Sequence, residues 1–188
     1  MIWFKIALLV FATFPILNKR VFKVVNLEEV KVQIRQSLLD ISDKIEEGDY
    51  EGARNLCNEV ISKFSQNKDK ISITGVQTAM MWKANTFRME YNNEKAIECY
   101  KELEKKYPQS PFAEHVMLAI GMSYFDLAPT LQDKSERRQA YKRALKYFEK
   151  IVKNREKSKE FPPYYHVEIT PGKYPISETI YLEDVLIW

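Results

Sequence analysis

Residues 77–110 read QTAMMWKANTFRMEYNNEKAIECYKELEKKYPQS, and they decide the fold because the other legible segments look like partial copies of them. The stretch divides into two helical patterns. In the first, Ala84 is a small residue that lets a neighbouring helix approach, and Phe87 and Tyr91 continue its apolar face at spacings of three and four. Tyr91, Asn92 and Asn93 make a turn. The second pattern starts near Glu94 and carries Ala96, Tyr100 and Leu103 on one face. It stops at Tyr107-Pro108, because proline cannot extend a helix. The spacing predicts an antiparallel pair of helices.

On the N-terminal side, Leu27, Val30, Ile34, Leu38, Ile41 and Ile45 recur at gaps of three and four, behind an Asn26 cap with Glu29 three residues on. This predicts a long amphipathic helix that ends at Gly48. Asp49-Tyr50 then turns the chain into a helix with Ala53, Cys57 and Val60, the same Ala, plus four, plus three register as Ala96, Tyr100 and Leu103. Residues 65–69, SQNKD, form a polar joint.

On the C-terminal side, residues 112–127 read as the first helix of a third unit, with Gly121 as the close-contact residue and Tyr124 three further on. The partner signature returns only at Ala144, Phe148 and Ile151. The intervening APTLQDKSERRQ reads as an insertion in the hairpin turn, where extra length costs little loop-closure entropy and where repeat proteins often place their binding face. From Lys153 the pattern dissolves. Tyr165, Val167 and Ile169 alternate, Pro171-Gly172 is a strong turn, and 176–188 is apolar with acidic interruptions. A β-hairpin fits this tail, which either caps the last repeat or begins a further domain.

The small, aromatic, alanine, aromatic and terminal proline positions of residues 77–110 resemble the tetratricopeptide repeat, a helix-turn-helix unit of roughly 34 residues. The resemblance implies an all-α, right-handed α-solenoid of about three such hairpins with an irregular tail. It divides the chain into an N-terminal segment 1–25, a repeat domain 26–155 and a tail or cap 156–188. The YPQSPFAE corner, the glycine and aromatic of IGMSYF, the proline and aspartate of 129–133, and Ala144 with Phe148 are more particular. Together they resemble the BamD-type outer-membrane assembly lipoproteins and related exported bacterial repeat proteins. The match spans roughly residues 50–151. The lipid-attachment cysteine and the C-terminal repeats of that family have no counterpart here. The resemblance implies a role as a scaffold at the cell envelope, in the periplasm or associated with the membrane.

Composition agrees with a folded helical body. With 45% apolar and 29% charged residues and five glycines, the chain can build a core and has no bias toward disorder. The net charge of +3 is spread among interspersed acids and bases, which excludes the basic face that several phosphate contacts require, so no nucleic-acid partner is expected. The first seventeen residues, MIWFKIALLVFATFPIL, contain a twelve-residue apolar run from Ile6. Such a run has the length of an export signal and is shorter than the ~20 residues a membrane span needs. Three readings fit it: a cleaved signal, an uncleaved anchor, and an apolar helix or strand docked on the repeats. For Cys57 and Cys99 two readings stand: a disulfide if the chain is exported, or two small buried side chains on second helices.

No catalytic constellation emerges. Two histidines, His115 and His166, with no clustered cysteines do not make a zinc site, and no glycine-rich phosphate loop or nucleophile elbow occurs. The expected function is non-enzymatic binding of a protein or peptide without cofactor or metal. If the first helix of each unit lines the groove, as the resemblance implies, the partner-binding residues are Thr78, Met81, Trp82, Asn85, Arg88 and Met89, joined by His115, Leu118, Met122, Phe125 and Asp126. Met is unbranched and adaptable, and Trp anchors contribute disproportionately to binding. Met81, Trp82, Met122 and Phe125 suit a core between helices equally well. A carboxylate clamp is not expected, because the partner of Asn85 four residues back is Met81 and the next helix offers His115 and Ala119. Two other classes stay open: a helical accessory domain of a larger exported enzyme, and a self-associating structural module.

Overall fold

The computed structural model describes residues 27–158. The apolar N-terminal run, the Asn26 cap and the tail hairpin lie outside them. Four helices begin on one device. Asp49, Asp69, Asn92 and Asp133 each accept a hydrogen bond from the backbone amide three residues on, at 2.9, 2.8, 3.3 and 2.8 Å. Each bond satisfies an amide that a first helical turn leaves unpaired. These caps open α2 (Tyr50–Phe64), α3 (Lys70–Met89), α4 (Asn93–Lys106) and α6 (Lys134–Ser158). Helix α1 occupies 27–46, and α5 (Ala113–Leu127) runs into a single 3-10 turn, Ala128–Thr130. No strand occurs among the described residues.

Helix stops follow from backbone geometry. Gly48, at φ +77°, closes α1. Tyr91, at φ +59°, closes α3 while its amide donates to the Arg88 carbonyl and the Asn92 amide donates to the Phe87 carbonyl, both at 2.9 Å. The left-handed turn throws the Tyr91 ring outward, leaving it 79% exposed, so it does not continue the apolar face of α3 as its spacing suggested.

Helices α3/α4 and α5/α6 pair as hairpins, and from α2 onward each helix packs chiefly on its neighbours in sequence. This is the tetratricopeptide-like stack expected from the repeats. The predicted registers supply the core. Ile34, Leu38 and Ile41, then Ala53, Cys57 and Val60, then Ala96, Tyr100 and Leu103 are all at most 2% exposed. Burying each of the larger aliphatic or aromatic side chains is worth about 1.5–3 kcal/mol relative to leaving it in water. Two glycines mark close approaches. A Cβ on Gly75 would lie 2.6 Å from Cγ2 of Ile34, joining α1 to α3, and one on Gly121 would lie 2.5 Å from Cε1 of Phe148, joining α5 to α6.

The corner before α5 is held by a polar bridge. The Ser110 hydroxyl donates to Oε1 of Gln77 at 2.6 Å and accepts from the Phe112 amide at 3.1 Å, and both side chains are buried. Past α5 the structure corrects one expectation. Residues 134–139 are not loop but the opening turns of α6, a helix of 25 residues. Asp133 caps this helix, and the Arg137 guanidinium donates back to the Leu131 carbonyl at 2.8 Å. The extra residues therefore lengthen a helix more than they enlarge a turn.

Candidate partner-binding face

Along α3, the residues expected to face a groove separate by depth. Thr78, Met81 and Trp82 are 1, 4 and 5% exposed, and Met81 and Trp82 belong to the main apolar cluster. Asn85 is half-buried, and its side-chain oxygen accepts the Tyr100 hydroxyl of the same hairpin. Arg88 and Met89 are half-buried at the C-terminal end of α3. On α5, His115 and Phe125 are exposed, while Leu118, Met122 and Asp126 are half-buried.

The structure brings three of these, Arg88, Met122 and Asp126, together across the first helices of successive hairpins. A guanidinium nitrogen of Arg88 on α3 lies 3.5 Å from a carboxylate oxygen of Asp126 on α5 and donates to Sδ of Met122 at 3.8 Å. Phe125, the residue before Asp126, is 55% exposed, with its ring edge-on to Tyr141 of α6 at 5.5 Å. The result is a partly buried ion pair fixed between two helices and flanked by a flexible thioether, with the open Phe125 ring turned against α6 one residue away in the chain. Such a surface can take an apolar side chain beside a hydrogen-bonding group. Tyr141 was not among the expected residues. Its only signal in the sequence was the four, three, four spacing of Tyr141, Leu145, Phe148 and Val152.

Two further polar clusters serve the stack. Arg54 of α2 makes a two-point contact with Glu90, at 2.6 and 3.3 Å, and its guanidinium lies over the Phe87 ring at 4.6 Å. Glu104 of α4 accepts from Tyr147 and Lys150 of α6, at 3.3 and 3.1 Å. Burial, with Glu104 adding to it, pushes the Tyr147 phenol up to about 12.

Cys57 and Cys99 are free thiols. Burial pushes the Cys57 thiol up to about 12 and raises that of Cys99, which makes both poor nucleophiles at neutral pH. Among the described residues no group of three or more His, Cys, Asp or Glu side chains is placed to hold a metal ion, and no helix is long and apolar enough to cross a membrane.

The stacked hairpins and the face between their first helices define a helical-repeat protein. A tetratricopeptide-repeat model matches residues 78–110, which form most of α3, all of α4 and the Ser110 corner. Residues 78–110 thus match a tetratricopeptide repeat, a kind of repeat that generally binds proteins or peptides. No curated protein matches the chain.

Proposed function

We propose that this protein is a non-enzymatic scaffold that holds a protein or peptide segment across the first helices of its hairpins, and that it works at the bacterial cell envelope. The observation that carries the binding reading is the Arg88–Asp126 pair with Met122, and the exposed Phe125 ring one residue from Asp126 in the chain. A partner fitting this face presents an apolar side chain to Phe125 and Met122 and a polar group to the ion pair. The envelope location is supported by the apolar run from Ile6 to Leu17 and by the YPQSPFAE corner that resembles the BamD-type family.

Exchanging Phe125→Ala together with Met122→Ala tests the face. The expected result is loss of the partner cross-linked to the wild-type protein in cells, with far-UV helicity unchanged; undiminished capture would refute the face. Location is tested by fractionation with intact-mass analysis. A chain shortened by about 17–25 residues in a soluble envelope fraction, or a full-length chain in the membrane fraction, agrees with the proposal. A full-length cytosolic chain would overturn it.

A further inference from the structure

Helix α6 exposes an apolar stripe whose counterpart in the preceding hairpin is covered. Ala96, Tyr100 and Leu103 of α4 correspond in register to Ala144, Phe148 and Ile151 of α6. The same register sets Asn93 and Ile97 against Tyr141 and Leu145. Asn93 and Ile97 are each 5% exposed in α4, the helix on which α5 packs. Tyr141 and Leu145 are 40% and 55% exposed, and Val152, one turn beyond Phe148, is 56% exposed. A shallow, solvent-open depression lies along this stripe between Leu145, Phe148 and Val152, with Glu149 and Lys153 at its side. Four large apolar side chains spaced four, three and four lie on one side of the helix. An open stripe of this kind marks a surface built to be covered.

We infer that residues 176–188 of the same chain, ISETIYLEDVLIW, dock on the Tyr141–Leu145–Phe148–Val152 stripe of α6. Three observations select this occupant. Reach is ample: residues 159–175 can span roughly 55 Å when extended, whereas α6, with 25 residues, is only about 37 Å long. Charge is complementary. The segment carries Glu178, Glu183 and Asp184 and no base, while residues 134–154 of α6 carry eight basic and two acidic residues, Lys142, Lys146 and Lys153 among those exposed. Eight of the thirteen residues in the segment are Ile, Leu, Val, Tyr or Trp, enough to cover an apolar stripe. Tyr141 is shared with the face at Phe125, whose ring it meets edge-on, whereas Leu145, Phe148 and Val152 are not part of that face.

The test uses the full chain with a benzoylphenylalanine photo-cross-linker at position 145, where the native side chain is already half in solvent. After irradiation at micromolar concentration, the expected product has the mass of a monomer and joins α6 to a peptide from 176–188. A link to a second copy, or no link to that segment, overturns the inference. In a second full-length variant, Val185→Glu with Leu186→Glu, amide exchange over 141–153 should rise by about tenfold or more while 53–60 and 96–103 keep their protection. Unchanged exchange over 141–153 would count equally against it.

Discussion

Ser110 and Gln77 are 33 positions apart in the chain and share a buried hydrogen bond of 2.6 Å, hydroxyl to side-chain carbonyl, that fastens the corner before α5 to the middle of α3. The YPQSP corner is therefore a joint between hairpins as well as a helix stop. Replacing Ser110→Ala leaves the Gln77 oxygen buried without that donor and should cost about 1–3 kcal/mol in urea unfolding. Adding Gln77→Leu removes the stranded polar group, and the double variant should recover most of the loss. A double variant no more stable than Ser110→Ala alone would show that the bond is not what the corner depends on.

At Gly121 the packing leaves no room for a methyl group. Gly121→Ala must displace the Phe148 ring, and the expected loss is about 1–3 kcal/mol in thermal or denaturant unfolding. Phe148→Leu in the same chain should restore part of it. Because Phe148 also forms part of the α6 stripe, the single substitution should raise exchange along α6 before it affects α2.

The start of α6 depends on Asp133. Asp133→Ala should cost about 1 kcal/mol and accelerate amide exchange over 134–137. Were these residues a loop, their amides would exchange rapidly in both proteins and the substitution would change little.

The thiol of Cys57 supplies a pH dependence. In the unfolded chain it ionises near its ordinary value of 9, whereas in the fold burial holds it neutral up to about 12. Between these values the unfolded state has lost the proton and the native state has not. Stability is therefore full below pH 9 and falls as pH rises toward 12, by up to roughly 4 kcal/mol from this group. Tyr147, raised from 10 to about 12, acts in the same direction, with a smaller effect because it is less buried. Cys57→Ala should flatten the alkaline limb of a stability–pH curve relative to wild type. In the native wild-type protein at pH 8, Cys99 should alkylate before Cys57.

Core register was legible because it repeats. Ala53, Cys57 and Val60 and their counterparts in α4 share one spacing, and periodicity alone places them inside. The depth of α3 was not legible. Ser72, Thr78 and Thr86 are buried almost as completely as Val76 and Ala79, and Gln77 nearly so, so this helix lacks the solvent side against which periodicity separates a groove from a core. Thr78, Met81 and Trp82 are buried for that reason, whereas Arg88 and Phe125 lie in the last turns of α3 and α5 and are less covered. Aligning Ala144 with Ala96 located the packed side of α6 but carried no information on where the helix begins. Asp133 with Glu136 three residues later was the readable start.

The sequential packing of α2 through α6 also bears on how quickly the chain organises. Contacts between adjacent helices close only short stretches of chain, so the relative contact order is low and the entropy lost before the first stabilising contacts form is small. Folding of the described body should fall in the microsecond-to-millisecond range typical of helical proteins. With no long-range sheet pairing to await, α3/α4 can nucleate first and its neighbours can add outward from it, one hairpin at a time.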